Sequence, residues 1–131
     1  MGDSLKLSNR TVLIVDDETA LLDMLEILLT PKGYTVVTAQ DGVEALDVVK
    51  TCRPDAIILD VMMPRMSGYM VASLLKKSPE YEHIPIILLT ATAQIAGNIT
   101  LATPTPYCLK KPFKTESLLS VLDEVFQAIP D

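Results

Sequence analysis

Short apolar runs that end in polar or acidic residues alternate along this chain with longer stretches whose apolar positions recur every three or four residues. Thr11-Val-Leu-Ile-Val15 stops at Asp16-Asp17-Glu18, and Leu21, Leu25, Leu28 and Leu29 follow at helical spacing, so strand then helix is predicted. Pro31 and Gly33 end that helix, and Tyr34-Thr-Val-Val-Thr38 forms a second β-branched run. Asp41-Gly42 opens a helix through Leu46 and Val49. Arg53-Pro54 then leads into Asp55-Ala-Ile-Ile-Leu59, a continuous apolar run of the kind found in a parallel strand covered on both faces, and it ends at Asp60. Gly68 to Lys77 has helical spacing, Pro85-Ile-Ile-Leu-Leu89 is a fourth buried run ending at Thr90, and Cys108-Leu109 is a shorter fifth before Lys111-Pro112. Thr115 is placed to cap a last helix with apolar positions Leu118, Val121, Leu122, Val125 and Ile129.

Five such units predict an α/β fold, a doubly wound five-stranded parallel sheet with right-handed crossovers and about five helices on its two faces. Ligands of such sheets bind beyond the carboxyl ends of the strands, at a switch point in the strand order. That rule singles out Asp16, Asp17, Asp60, Thr90 and Lys111, each just after an apolar run.

Composition narrows the setting. A chain of 131 residues, 49% of them hydrophobic, is long enough for one core. No apolar run approaches the roughly 20 residues of a membrane span. Met1 to Arg10 is polar and lacks the apolar segment of a secretory leader, so the cytoplasm is the expected location. Cys52 and Cys108 lack metal-ligand spacing and read as free thiols. A net charge of -6 argues against direct nucleic-acid binding, which needs clustered Lys and Arg.

If the strand ends lie side by side, three carboxylates share one cleft, where they repel one another and call for a compensating cation. Magnesium suits a site of hard oxygen ligands without His or Cys. A carboxylate there can act as a nucleophile and form an aspartyl phosphate, with Lys111 and Thr90 neutralising and hydrogen-bonding the phosphoryl group. The plain alternative is that such residues cap the following helices, and for Asp17 alone the two readings are equally good.

The residues that carry this chemistry resemble those of the response-regulator receiver family, over about Thr11 to Ile129. The matching segments are Val15-Asp16-Asp17, Ala39-Gln-Asp-Gly42-Val-Glu44-Ala-Leu46, Pro54-Asp55, Asp60-Val-Met-Met-Pro64-Arg-Met66-Ser-Gly68, Ile84-Pro-Ile-Ile-Leu-Leu-Thr90-Ala91 and Lys111-Pro112-Phe113. The resemblance implies a strand order 2-1-3-4-5, a receiver domain over residues 10–129 and a flexible segment over 1–9. It implies that Asp60 is the phosphoacceptor. Asp17 and Asp60 would bind Mg2+ directly with the Met62 backbone carbonyl, Asp16 would act mainly through water, and Mn2+ would be able to substitute. Thr90 and Lys111 would bind the phosphoryl group, and the bond to Pro112 would be cis. The implied role is a phosphorylation-controlled switch of a two-component or phosphorelay system, not an enzyme in the ordinary sense. Its partners would be a sensor histidine kinase or histidine phosphotransfer protein, and an output protein or fused output domain. A monomer or weak homodimer fits this role.

Two departures from the family stand out. Counting back from Lys111, Cys108 holds the position of the usual switch aromatic, while Tyr107 lies one residue earlier and would face the other way. A shifted register would instead put Lys110 at the site; Lys111 is the preferred reading. Between Thr92 and Pro106, Gly97, Pro104 and Pro106 disfavour a long helix, so the family's fourth helix is expected to be short or irregular. Met62 and Thr92, at the positions that tune dephosphorylation, offer no acid or amide to orient water, so slow loss of phosphate is expected.

Other features read plainly. Met62, Met63, Met66 and Met70 are packing residues, His83 is a solvated loop residue, and Lys76-Lys77 offsets a helix dipole. Two rival functions remain. A small phosphohydrolase would need an acid two residues after Asp60, where Met62 stands. A degenerate receiver acting only as a protein-interaction module is the stronger alternative.

Overall fold

The computed structural model describes residues 10–91 and 107–127. In chain order these form β1 (Thr11–Val15), α1 (Thr19–Leu29), a 3-10 turn (Thr30–Lys32), β2 (Thr35–Ala39), α2 (Gly42–Cys52), β3 (Ala56–Asp60), α3 (Gly68–Lys76), β4 (Ile86–Thr90), β5 (Tyr107–Lys110) and α4 (Thr115–Gln127). All five strands are parallel, in the order β2-β1-β3-β4-β5. This is the flavodoxin-like doubly wound sheet, and the reversal of order between β1 and β3 makes their carboxyl ends the switch point. The segment expected to hold a short or irregular helix, and residues 1–9, lie outside the described residues.

Strand alternation divides the core in two. Leu13, Val15, Ile57, Leu59, Ile86 and Leu88 face α2 and α3, where Ala45, Val49, Val71, Ala72 and Leu75 meet them. Val12, Ile14, Ile58, Ile87 and Leu89 face α1 and α4, against Leu22, Leu25, Leu29, Leu118, Leu122 and Val125. Every residue of β3 and β4 is buried, which is why those segments read as unbroken apolar runs rather than alternating ones. Each large side chain so covered contributes about 1.5–3 kcal/mol.

Local chemistry sets the element ends. Gly33, with φ 98°, closes the 3-10 turn in the left-handed conformation that glycine adopts without strain. Asp41 caps α2 by accepting from Glu44 N at 2.8 Å, and Glu44 reaches back to accept from Gln40 N. Ser67 caps α3 by accepting from Met70 N. The expected Thr115 cap is corrected: Thr115 is the first residue of α4, and the Lys114 carbonyl accepts from Ser117 and Leu118 N–H. Lys76 also does more than offset a dipole, since its ammonium donates to the carbonyls of Glu82 and Ile84 and ties the turn that feeds β4. Burial holds its pKa below the ordinary lysine value.

Candidate functional site

Because Val15 of β1 lies opposite Leu59 of β3, the residues that follow emerge side by side at the switch point. Asp16 leaves β1 fully buried, Asp60 ends β3 with 4% of its surface exposed, and Asp17 is exposed. One carboxylate oxygen from each lies within 4.8 Å of the others. The helix-capping alternative for Asp17 finds no support, since the residue before α1 is Glu18 and that end has no side-chain cap.

Lys111 closes the cluster. Its ammonium donates to Asp16 Oδ2 at 2.7 Å and stands 3.5 Å from Asp60 Oδ1. Asp16 Oδ1 accepts from Glu18 N at 2.9 Å, and Asp60 Oδ1 accepts from Met62 N at 3.3 Å. Desolvation and the neighbouring Asp16 charge push the Asp60 carboxyl above the usual aspartate value, with Lys111 and the Met62 N–H pulling the other way. Burial works to lower the Lys111 pKa, but its contacts with Asp16 and Asp60 outweigh that and hold it above the ordinary lysine value. The donor set is therefore all oxygen and short of positive charge, which fits a hard divalent cation.

An open cleft of about 490 Å³ lies over these groups, lined by Asp16, Asp17, Asp60, Met62 and Lys111 among others. The Met62 side chain is exposed at 64%. Thr90 ends β4 fully buried, and its carbonyl accepts from Lys111 N at 2.7 Å. The register across β4 and β5 is regular, with Thr90 opposite Lys110, so Lys111 and not Lys110 brings its amine to the carboxylates. Tyr107 packs with the α1 and α4 side of the sheet and Cys108 with the α2 and α3 side. The Lys111–Pro112 bond is cis. Thr92 lies outside the described residues.

Sequence reasoning passed over Gly68. A Cβ built there would stand 2.1 Å from the Asp60 carbonyl oxygen, so the start of α3 rests directly on the backbone of the central aspartate. The signal was present in the Ser67-Gly68 pair after the Met-Pro loop, but a glycine at a helix start has too many ordinary explanations to point to Asp60.

The raised Asp60 carboxyl has a measurable consequence. A folded-state pKa above the unfolded one means that the native state binds the proton more tightly, so stability is lost as pH rises from the ordinary value of 3.8 through the folded one. Asp60→Asn removes that loss. In chelator at pH 7 the variant is expected to be about 1 kcal/mol more stable than the parent, the difference closing near pH 4, as read by thermal melts across pH.

The chain is similar to known proteins of one family. The family model described as "Response regulator receiver domain" matches residues 12–123. Response regulator MprA of Mycobacterium sp. (strain KMS) is 42% identical over 110 residues, which is 83% of this chain and 47% of that protein. The chain thus spans about half the length of the curated relatives it matches. Among solved structures, chemotaxis protein CheY4 of Vibrio cholerae is 37% identical with a TM-score of 0.82, covering 88% of this chain and 98% of the other. The receiver domain of sensor histidine kinase PA1611 from Pseudomonas aeruginosa PAO1, described with a magnesium ion coordinated in its active-site cleft, is 29% identical with a TM-score of 0.82, covering 91% and 98%. No helix among the described residues is long and apolar enough to cross a membrane.

Proposed function

Since this chain belongs to the response regulator receiver family, of two-component signalling, we propose that it is a switch that accepts a phosphoryl group on Asp60 and changes its partner-binding surface in response. The observation that carries this reading is the clustering of Asp16, Asp17 and Lys111 around one nearly buried aspartate at the switch point of the sheet. Receiver domains are in general phosphoacceptors rather than classical enzymes, and the position two residues after Asp60 holds a methionine, not an acid.

Asp17 and Asp60, with the Met62 carbonyl, would hold Mg2+, or Mn2+ in its place, with Asp16 acting mainly through water, and the ion would supply positive charge to offset the carboxylates and the incoming phosphoryl group. A carboxylate oxygen of Asp60 attacks the phosphorus of a phosphohistidine or a small acyl phosphate. The new O–P bond forms as the bond from phosphorus to imidazole nitrogen, or to acyl oxygen, breaks, and that electron pair leaves with the carrier. Lys111 is placed to pair with the incoming charge. Thr90 would have to turn its hydroxyl toward the phosphoryl group, and the arrangement that binds better is thereby favoured.

The phosphodonor would be a sensor histidine kinase or a histidine phosphotransfer protein. Beside the cleft, an apolar groove of about 420 Å³ between α1 and the segment after β5, lined by Leu21, Met24, Pro112 and Phe113, offers it a surface. The relatives' greater length leaves the output to a fused domain or a separate protein, with the receiver itself a monomer or weak homodimer that does not touch nucleic acid directly.

Intact-mass measurement after incubation with magnesium and acetyl phosphate tests this reading. A gain of one phosphoryl group is expected, absent in Asp60→Asn and in chelator. No gain from folded protein, with a phosphohistidine donor failing as well, would leave the interaction-only module.

A further inference from the structure

We propose that Arg65, at the tip of the loop between β3 and α3, is a positioning residue for the metal: paired with Asp41 at the start of α2, it holds the turn that sets the Met62 carbonyl in the cleft. The proposal rests on the reading of Asp17, Asp60 and the Met62 carbonyl as magnesium ligands, and it adds the residue that keeps the third of them in place.

The chain from Asp60 to Gly68 is a closed loop. At its start Val61 N donates to the Leu89 carbonyl at 2.9 Å, and at its end Gly68 N donates back to the Val61 carbonyl at 3.0 Å, hard against the Asp60 backbone. A change of torsion within such a loop has to be absorbed elsewhere in it. Few places can absorb it. Val61 and Met63 are buried in the core, Pro64 has its φ fixed by its ring, and Met66 lies against Gly42 of α2. Met62, exposed on the wall of the cleft, is where the slack lies.

At the tip, Met66 N donates to the Pro64 carbonyl at 2.7 Å, closing a three-residue turn whose central residue, Arg65, has φ 68°. That is the rare, strained hand of such a turn, in a region that arginine seldom adopts and glycine adopts freely. Strained residues persist only where their surroundings hold them, and they gather at functional sites. Here the hold is the Arg65 guanidinium, which donates to Asp41 Oδ2 at 3.2 Å, while Asp41 Oδ1 accepts from Glu44 N and caps α2. Asp41 thus gives one oxygen to the helix and the other to the loop. An exposed pair of this kind adds little to overall stability, but what it has to offset is only the cost of one left-handed residue. Without the pair the turn relaxes, and the Met62 carbonyl moves with it.

Titration of the isotope-labelled full chain with magnesium chloride alone, followed by amide resonances, tests this. Arg65→Ala and Asp41→Asn are each expected to bind magnesium about fivefold more weakly than the parent, with Asn still able to cap α2. The first removes a positive charge and the second a negative one, so a pure charge effect would move the two affinities in opposite directions. Arg65→Gly, which takes positive φ unaided, is expected to bind as the parent does. Opposite movement, parental affinity in Arg65→Ala, or equal affinity in Arg65→Ala and Arg65→Gly overturns the proposal and leaves the metal reading intact, even where the variants melt at lower temperature. A parent that binds no magnesium overturns the metal reading and the proposal with it.

Discussion

Gly68→Ala is expected to destabilise the protein by about 3 kcal/mol or more, lowering the thermal midpoint by roughly 10 °C. The added methyl would stand 2.1 Å from the Asp60 carbonyl oxygen and 2.9 Å from both Asp60 C and Val61 Cα. All three are backbone atoms of the strand end, so room can be made only by moving Asp60 or the start of α3. Phosphoryl uptake should fall with stability for that reason. Gly42→Ala gives a milder contrast, because its close contacts are with the side chains of Val71 and Met66 rather than with backbone, and of these the Met66 sulfur can shift while buried Val71 has little room to turn. Urea melts of both variants check the ranking, and a parental midpoint for Gly68→Ala would show that α3 does not rest on Asp60.

Lys111→Ala is expected to slow phosphorylation by acetyl phosphate by about 10²–10³-fold, the usual cost of removing one group that faces developing charge. It also removes the ammonium from fully buried Asp16, at a cost to stability of about 2 kcal/mol, since the lysine itself is partly solvated. The pH dependence gives a second reading. Lys111 holds the Asp60 carboxyl down, so its loss lets that pKa climb further. A carboxyl with a raised folded pKa loses stability as pH rises, and the variant should therefore fall away from the parent between pH 4 and neutrality, the two drawing together in acid. Stopped-flow phosphorylation and melts across pH measure the two effects; equal rates in parent and variant would remove Lys111 from the chemistry.

How far the chain could be read in advance depended on where the information lay. β1 matched Thr11–Val15 outright, and β2, β3 and β4 each sit one residue later than the apolar runs suggested, because the last pairing residues Ala39, Asp60 and Thr90 are set by the register between strands. β5 was the least legible, being four residues long with no residue fully buried. The adjacency of β1 and β3, on which the whole site depends, appears in no local pattern and came from family resemblance alone. The choice between Lys110 and Lys111 likewise needed the pairing of Thr90 with Lys110.

The sheet stands as a wall between two packed compartments, one holding Leu25, Leu29, Leu118 and Leu122, the other Val71, Leu75, Leu88 and Tyr69. Side chains on opposite sides meet only through the strands between them, so their volume changes are expected to combine nearly additively. A lineage can therefore adjust its heat tolerance in the interior of the α1 and α4 compartment, beneath the exposed α1 surface, with little disturbance to the packing around α3.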